Sequence, residues 1–508
     1  MSIGQNHQAL PRAGPEREAL REKGQFWTPD WVAEAMVAYC LGSGAPHVFD
    51  PAVGAGAFFR AAKAVAGRLG RTVKLVGTEL HARALDDARA QGLSDADLDG
   101  VTITDFIVRP PRGPFRAIVA NPPYIRHHRL PPELKTHLKA LATRLVGRPL
   151  DGRAGLHVFF LIRALELLAP AGRLAFIVPA DTAEGVFARP LWAWIARHYR
   201  LDGVVTFDHA ATPFPGVDTN ALVLLISRNP PLESFTWARC TERGDSLCAW
   251  ITSGFVVRGA AIESQTRPLE EALRTGLSRE PQQESDELPT LLDYACVLRG
   301  IATGANDFFF LTESQAAALR IPREFLAPAV GRTRDVVGNS VTHERLSELA
   351  AAGRPTLLFK PDGRRLESFP APVREYLRKG VELGLPARAL IASRRPWYKM
   401  ESRSVPPFLF AYLGRRSARF IRNEAGVVPL TGFLCVYPRS KDPDAVQRLW
   451  HTLSHPDTVA NLKLVGKSYG SGAIKVEPRA LERLPIARSA IIDAGLGQPV
   501  REVQLAAL

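Results

Sequence analysis

Short apolar runs alternate with amphipathic helical patterns between residues 26 and 250. The apolar runs are typical of buried strands, and the segments between them repeat apolar residues at the period of a helix. This alternation predicts an α/β domain with a mostly parallel sheet. The predicted strands are 73–77, 116–120, 173–178, 204–207 and 221–226, and the predicted helices are 31–39, 57–68 and 156–168.

The pattern changes twice along the chain. Residues 256–290 are rich in Glu, Gln, Arg, Ser and Pro, which predicts a linker region. Residues 291–508 hold short apolar stretches separated by Pro, Gly and Arg, which predicts a second, α+β domain with many loops. The polar residues 1–24 predict a flexible N-terminus without the apolar core of a signal peptide, so the first domain is assigned to residues 25–255.

Positive charge is concentrated in the second predicted domain. The chain has a formal net charge of +14, and residues 291–508 contain 32 Lys and Arg residues against 20 Asp and Glu residues. Such an imbalance favours a polyanionic partner for this domain. Solubility, or a genome whose composition favours Arg, is the alternative explanation.

Cysteine usage and hydropathy predict the compartment. The 5 cysteines are dispersed and none forms a C-x-x-C pair, which indicates a reducing, cytoplasmic environment and argues against a metal site. No apolar run reaches the roughly 20 residues of a membrane helix, so no membrane partner is expected.

A glycine-rich turn lies between a predicted strand and a predicted helix. Glycines at such a turn let the backbone bend sharply and approach a ligand. An acid at the end of the next strand can accept hydrogen bonds from ribose hydroxyls. The turn lacks both G-x-G-x-x-G and the G-K-[ST] of a P-loop, which favours a small adenosine ligand over a dinucleotide or a triphosphate. The candidate residues are Asp50, Ala52, Gly54 and Gly56 in the turn and Glu79 at the strand end.

Asp105-Phe106 follows in the same predicted sheet. The acid could accept a hydrogen bond from an adenine amine and the aromatic ring could stack on the base. The alternatives are a helix cap and a core phenylalanine.

Asn121-Pro122-Pro123-Tyr124 is the most specific motif of the chain. The strand before it must end there because prolines cannot continue a hydrogen-bonded ladder. Asn121 is thereby expected at the carboxyl edge of the sheet, where α/β proteins bind their ligands, with Tyr124 beside it. A rigid polar loop is the structural alternative.

The order of these motifs resembles the gamma-class S-adenosylmethionine-dependent DNA adenine-N6 methyltransferases. In that family a cofactor-capping segment precedes the glycine-rich turn, and Asn-Pro-Pro-Tyr and a target-recognition domain follow. Residues 24–29, with Thr28 and Pro29, are similar to the capping segment. Residues 172–179 are similar to a later strand, and residues 214–220 are similar to the base-contacting loop. The resemblance covers roughly residues 20–230.

The resemblance implies S-adenosylmethionine as cofactor and a flipped adenine of duplex DNA as substrate. It implies that the Asn121 side-chain carbonyl and the Pro122 backbone carbonyl accept hydrogen bonds from the N6 amine. Pro123 would stiffen the turn, Tyr124 would stack on the flipped base, and Phe214 would pack against it, with an ordinary core role as the alternative for Phe214.

The predicted DNA contacts come from two basic segments. Arg126 begins a small basic cluster beside the predicted site, and residues 387–422 interleave basic and aromatic side chains. Residues 299–309 and 470–486 loosely resemble the ends of target-recognition domains. A solvated basic face is the alternative. The predicted contacts in the second segment are Arg394, Arg395, Lys399, Arg415, Arg416 and Arg419.

The resemblance also implies a restriction-modification or related defence system, with a separately encoded endonuclease as partner and a monomer acting on DNA. A fused nuclease is not expected because Asp362 and Glu367 lack an acid-x-Lys partner motif. Two other functions remain open: a methyltransferase of the same fold for RNA or protein glutamine, and an inactive DNA-binding homologue.

Overall fold

The computed structural model describes residues 27–184, 187–215, 220–256, 259–281, 288–411, 418–468 and 474–497. The chain forms two compact units that divide between residues 281 and 282.

The first unit contains a nine-stranded sheet in the order β3-β2-β1-β4-β5-β7-β6-β8-β9. Strands β1 to β5 pair in parallel, as do β6 and β8, whereas β7 is antiparallel to both neighbours and β9 is antiparallel to β8. The predicted α/β fold with a mostly parallel sheet is therefore confirmed. The strands are β1 (His47–Asp50), β2 (Lys74–Glu79), β3 (Val101–Ile103), β4 (Phe115–Ala120), β5 (Leu168–Pro179), β6 (Arg200–Phe207), β7 (Ala221–Ser227), β8 (Ser234–Cys240) and β9 (Ile262–Pro268).

Helices cover both faces of this sheet, and two apolar clusters lie between helices and strands. The central strands are buried on both faces, which explains why they read as continuous apolar runs in the sequence. The helices are α1 (Asp30–Leu41), α2 (Ala57–Arg68), α3 (Ala84–Ala90), α4 (Asp95–Leu98), α5 (Pro132–Val146), α6 (Leu156–Glu166), α7 (Asp181–Glu184), α8 (Ala188–His198), α9 (Ser246–Thr252) and α10 (Leu269–Thr275).

The order in which the chain adds strands to the sheet reverses between β1 and β4, although these two strands are parallel. Strand β1 pairs with β2 on one side and with β4 on the other, so successive crossovers leave this point in opposite directions. Ligands of open α/β sheets bind outside the carboxyl ends of the strands at such a point. Asp50 ends β1 and Asn121 follows β4, so both lie at this edge of the sheet.

The predicted boundary at residue 255 differs from the observed one. Residues 256–290 were predicted as a linker, but β9 pairs with β8 along seven residues and α10 follows directly. Arg267 of β9 has no exposed surface, and its guanidinium donates to Glu271 Oε2 at 2.7 Å and to the Arg279 carbonyl at 2.6 Å. The polar composition of β9 led to the linker prediction. In the structure the polar side chain of Arg267 forms its hydrogen bonds within the unit.

The second unit combines small sheets with short helices, as an α+β domain does. A five-stranded sheet has the order β10-β18-β15-β16-β13, a four-stranded sheet has the order β11-β14-β12-β17, and β19 pairs with β20. The strands are β10 (Ala295–Arg299), β11 (Phe310–Leu311), β12 (Leu326–Val330), β13 (Ser340–Val341), β14 (Leu357–Phe359), β15 (Phe408–Ala411), β16 (Arg419–Asn423), β17 (Val428–Pro429), β18 (Phe433–Pro438), β19 (Lys467–Ser468) and β20 (Ile474–Lys475).

Three apolar clusters lie within this second unit. In the part of the chain that the structure describes, no helix of either unit has the length and apolar character needed to cross a membrane. The helices of the second unit are α11 (Leu291–Tyr294), α12 (Asn306–Phe309), α13 (Glu313–Ala318), α14 (His343–Ala351), α15 (Ala371–Glu382), α16 (Ala389–Ala392), α17 (Pro443–Ser454), α18 (Pro456–Ala460), α19 (Leu462–Val465), α20 (Pro478–Glu482) and α21 (Arg488–Asp493).

Candidate active site

The glycine-rich turn connects β1 to α2 through two left-handed residues. Gly54 has φ +51° and Gly56 has φ +75°, a region that residues with a Cβ rarely adopt. The turn is tied to β2 because the Thr78 hydroxyl donates to the Pro51 carbonyl at 2.8 Å and the Val53 amide donates to the Thr78 carbonyl at 3.1 Å. The backbone of the turn is therefore fixed against the neighbouring strand.

Glu79 ends β2 and bridges to the same turn. Its Oε2 accepts from the Gly54 amide at 2.9 Å, and its Oε1 accepts from the amides of Leu80 at 2.9 Å and His81 at 3.1 Å. Three amide donors fix the carboxylate at the strand end. Because a carboxylate offers about four acceptor positions, capacity remains for a ligand hydroxyl.

Asp50 is a buried acid with one unused oxygen. Its side chain has no exposed surface, Oδ1 accepts from the Ala52 amide at 2.9 Å, and Oδ2 has no hydrogen-bond partner among the described residues. Burial raises the pKa of Asp50 to about 8; the Ala52 amide opposes this rise, and the nearby Glu79 charge adds to it. A buried acceptor without a partner is costly, which indicates that a donor or a positive charge completes this site.

The Asp105-Phe106 pair sits after β3. Asp105 Oδ1 accepts from the backbone amides of Ile107 at 2.8 Å and Val108 at 3.1 Å, so this carboxylate stabilises the local turn. Phe106 is 2% exposed and packs against Phe49 at 5.9 Å and Phe160 at 5.2 Å between ring centroids. Phe106 is thus a core residue, and Asp105 stabilises a turn and caps no helix that the structure describes. The predicted cofactor contacts of Asp105 and Phe106 stay predictions.

Asn121 contacts the segment before α1. Its Nδ2 donates to the Thr28 hydroxyl oxygen at 3.1 Å, and Thr28 is 5% exposed. Pro29 precedes α1, and its carbonyl accepts from the Val32 and Ala33 amides at 3.0 Å. The structure therefore brings the predicted capping segment, as far as it is described, to the catalytic turn.

Tyr124 contacts strand β5 through its hydroxyl group and helix α6 through its ring. Its hydroxyl donates to the Ile177 carbonyl at 3.0 Å, and its ring packs edge to face with His157 at 5.7 Å. Burial raises the pKa of Tyr124, so the hydroxyl keeps its proton. Burial lowers the pKa of His157 to about 4, so a neutral imidazole supports the tyrosine ring. No sequence motif pointed to His157, because its role depends on a contact between distant residues.

The remaining predicted catalytic residues differ in burial. Pro122 is buried and Pro123 is half-buried in the turn after β4. Phe214 is 5% exposed and belongs to the apolar cluster that includes Val205 and Ala221, so its base contact stays a prediction. Residues 216–219 of the predicted base-contacting loop, which spans residues 214–220, lie outside the described residues.

The carboxylate groups at this edge of the sheet suit an adenosine cofactor with an attached amino acid. The unpartnered Asp50 Oδ2 offers an acceptor for a cationic amine, and Glu79 offers acceptors for hydroxyls. The described residues contain no group of three or more His, Cys, Asp or Glu side chains that could hold a metal ion.

The residues predicted to contact DNA differ in their exposure and in their contacts with the protein. Arg126 is exposed and lies two residues after Tyr124, as a DNA contact beside the site would require. Arg394 instead donates through Nη2 to the carbonyls of Ala302 at 2.6 Å and Thr303 at 3.0 Å and lies over the Phe309 ring. These contacts tie its guanidinium to the domain, and its DNA contact stays a prediction.

Arg419 is also committed to the protein backbone. Its Nε donates to the Gly338 carbonyl at 2.8 Å and its Nη2 to the Val336 carbonyl at 2.9 Å, and its direct DNA contact stays a prediction. Arg395 is exposed, and its Nη1 donates to the carbonyls of Ala392 and Arg394. Lys399 is also exposed and lies against Gly363. Arg415 and Arg416 lie outside the described residues.

Two families match the chain. The Eco57I restriction-modification methylases match residues 84–214, and the C-terminal domain of the type II methyltransferase M.Eco57I matches residues 279–505. The first match includes the Asn121 turn. The second match coincides closely with the second structural unit, whose boundary lies between residues 281 and 282.

Two relatives align with nearly the whole chain. The type II methyltransferase M.AccI of Acinetobacter calcoaceticus is 24% identical over 487 residues, which cover 94% of this chain and 87% of the relative. The type II methyltransferase M.XamI of Xanthomonas campestris pv. amaranthicola is 24% identical over 496 residues, which cover 95% and 88%. Among solved structures, the type IIL restriction-modification enzyme MmeI in complex with DNA aligns at 11% identity with a TM-score of 0.49, covering 95% of this chain and 73% of MmeI.

Proposed function

We propose that this chain, a relative of the type II restriction-modification methyltransferases, transfers a methyl group from S-adenosylmethionine to the N6 amino group of adenine in duplex DNA. One observation carries the proposal. The Asn121 turn and the glycine-rich turn with its buried acid follow adjacent parallel strands at the switch point of the sheet. Groups suited to a planar amine and groups suited to an adenosine cofactor at the same sheet edge support the proposal.

Three groups would hold the cofactor. Asp50 would pair through its free oxygen with the cofactor's amine, Glu79 would accept from the ribose hydroxyls, and the turn at Gly54 would let the ligand approach the backbone. When bound, S-adenosylmethionine supplies an electrophilic methyl group on a sulfonium centre. The protein then has mainly to align the amine with that methyl group.

Asn121 and Pro122 would hold the target amine. The lone pair of an adenine N6 amine is delocalised into the ring, which makes the nitrogen a poor nucleophile. Two carbonyl acceptors, the Asn121 side chain and the Pro122 backbone, would each accept one N6 hydrogen and favour a pyramidal nitrogen whose lone pair is available. The turn after β4 would present these acceptors at a fixed position because prolines restrict its backbone.

Tyr124 would provide the stacking surface for the flipped base. Its hydroxyl is anchored to Ile177 and its ring edge meets His157, so the ring orientation is set before the base arrives. Stacking on an aromatic side chain contributes about 1–3 kcal/mol per base, which offsets part of the few kcal/mol needed to flip a base. Restricted motion of the ring reduces the entropy lost on binding.

The biological setting proposed here is a restriction-modification or related defence system. The relatives M.AccI and M.XamI are named as type II methyltransferases, which supports this setting. A separately encoded endonuclease that cleaves the same sequence would be the functional partner.

Long-read sequencing of plasmid DNA from a methylation-free host tests the proposal. Expression of the wild-type chain should produce N6-methyladenine at one short recurring sequence, and the Asn121→Ala variant should leave the plasmid unmodified while still binding cofactor and DNA. Near-wild-type methylation by Asn121→Ala would contradict the mechanism. Unmodified plasmid from a soluble, cofactor-binding wild-type protein would instead direct the search to RNA or protein glutamine substrates.

A further inference from the structure

The amide of Asn121 has a hydrogen-bond partner in the segment that precedes α1. Nδ2 donates to Thr28 Oγ1 at 3.1 Å, and Thr28 is 5% exposed, so bulk water does not readily replace this hydroxyl. The two residues are far apart in sequence, and Thr28 belongs to the segment that precedes α1.

The two ends of an asparagine amide have nearly the same size but opposite hydrogen-bonding character. The carbonyl end can accept from an adenine amine, whereas the NH₂ end would oppose one donor with another. In the orientation that the structure shows, the Thr28 hydroxyl accepts from Nδ2, and Oδ1 is directed away from Thr28 because the two ends diverge from the same carbon. A half-turn of the amide would remove the acceptor on which the proposed reaction depends.

We propose that Thr28 is a positioning residue that holds the Asn121 amide with Oδ1 directed at the target amine. This rests on the proposed function, and it differs from the cofactor contact that the capping segment implies for Thr28. The hydroxyl acts through Asn121, so its loss affects the methyl-transfer step even when cofactor is saturating. A residue that only bound cofactor would affect the cofactor concentration required and leave the saturated rate unchanged.

Thr28→Val and Thr28→Ser form a matched pair for this test. Valine keeps the shape and removes the hydroxyl, and serine keeps the hydroxyl. Single-turnover methylation of a duplex at saturating S-adenosylmethionine should slow about tenfold or more in Thr28→Val, as for other supporting hydrogen bonds, and should recover in Thr28→Ser. Cofactor affinity and thermal unfolding of each variant are measured alongside, to separate orientation from binding and folding.

Either of two results would overturn the assignment. One is a Thr28→Val rate equal to that of wild type at saturating cofactor, with only the cofactor affinity weakened. The other is a Thr28→Ser rate as low as that of Thr28→Val, which would mean that the hydroxyl is not the determinant. Failure of the proposed function itself is distinct, because the wild-type protein would then show no methylation in the same assay.

A second observation concerns the loop between β12 and β13 in the second unit. Asp335 is buried in this loop, and Arg354 Nη2 donates to its Oδ1 at 2.8 Å while Arg345 Nε donates to its carbonyl at 2.9 Å. Arg419 donates to two further carbonyls of the loop, those of Val336 and Gly338. Three arginines from outside the loop therefore fix its backbone.

The same loop presents two arginines to solvent. Arg332 and Arg334 are exposed, and their side chains make no hydrogen bond or ion pair with any residue that the structure describes. Arg332 directly precedes the turn Thr333–Asp335 that the buried Asp335 anchors, and Arg334 lies within it. A rigid backbone that carries free guanidinium groups suits recognition, because the groups are placed before the partner arrives.

We propose that residues 332–339 form a DNA-reading loop in which Arg332 and Arg334 contact guanine edges of the target sequence. This too rests on the proposed function. A guanidinium can donate two parallel hydrogen bonds to O6 and N7 of guanine. This contact requires a more exact position of the arginine than a phosphate contact does, so a fixed backbone favours it. Arg419, predicted as a DNA contact, would act indirectly by holding this loop.

Arg332→Ala and Arg334→Ala test the loop, with Arg378→Ala as control because Arg378 is exposed on α15 and also makes no side-chain contact to a described residue. Plasmid sequencing should show that at least one loop variant methylates sites with a substitution at a guanine of the wild-type motif. The control should keep the wild-type motif. An unchanged motif would overturn the proposal, and unchanged selectivity with a uniformly weaker DNA affinity and a smaller salt slope would assign the arginines to phosphates instead.

Discussion

At the residue scale, the most informative side chain is the buried Asp50. Its Oδ1 is used by the Ala52 amide, its Oδ2 has no described partner, and burial raises its pKa to about 8. A carboxyl group of this kind is costly to ionise without its ligand. Binding of a hydrogen-bond donor or a cation at Asp50 is therefore favourable, and the protein without a ligand is less stable than it would be without this buried carboxyl group.

This cost predicts a pH dependence of stability. In the unfolded chain the Asp50 carboxyl group has its ordinary pKa of about 3.8, whereas burial in the folded protein raises this pKa to about 8. The unfolded state is thus favoured progressively as pH rises from about 4 to about 8, and wild type should lose stability relative to Asp50→Asn over this window, on the order of a few kcal/mol. Urea unfolding of both proteins across this range, without cofactor, measures the difference.

The control for this experiment is Asp99→Asn, because Asp99 is exposed. Its stability should follow the wild-type curve at every pH. Parallel curves for Asp50→Asn and wild type would show that ionisation of Asp50 carries no folding cost.

At the residue scale, the sequence also supplied candidates for the site. Asp50, Glu79 and Asn121 could be chosen as candidates because each ends or follows a strand, and that position can be read from local pattern. The contacts of Thr28 with Asn121 and of His157 with Tyr124 join residues distant in sequence, so no local pattern encodes them.

At the element scale, predicted and observed helices and strands agree best where the local sequence pattern is strong. Helix α2 has the predicted bounds because the left-handed Gly56 sets its start and an amphipathic run follows. Strand β9 was predicted as linker because its residues are mostly polar, and its pairing with β8 supplies what its composition lacks. Edge strands with one solvated face carry weaker apolar patterns than central ones.

Arg267 gives this element a test. It is fully buried and donates to Glu271, Thr275 Oγ1 at 2.7 Å and the carbonyls of Leu277 and Arg279. Arg267→Met should lower the free energy of unfolding by about 3–5 kcal/mol, because it leaves the half-buried Glu271 carboxylate and two backbone carbonyls without their donor. Chemical denaturation measures the loss.

Arg243→Met is the matched control, since Arg243 is exposed in the same unit. A surface change of this kind should stay within about 0.5 kcal/mol of wild type. If both variants unfolded alike, residues 262–281 would behave as the linker that their composition predicts.

At the scale of the whole molecule, charge and family relationships follow the same division as the two structural units. The excess of basic residues lies after residue 290, one family match lies within the first unit, and the other coincides closely with the second unit. The proposed cofactor-binding and catalytic groups belong to the first unit, and the proposed reading loop belongs to the second.

The sequence by itself determined the α/β class, the place of the glycine-rich turn and the strand end at Asn121, because strand termination by proline and turning at glycine are local effects. Charge counts similarly indicated which part of the chain would meet DNA. Only the tertiary structure decided which arginines are available for that contact. Arg394 and Arg419 donate to backbone carbonyls, whereas Arg332 and Arg334 remain exposed. An arginine has the same charge in both situations, and only the folded backbone determines whether buried acceptors already occupy its donors.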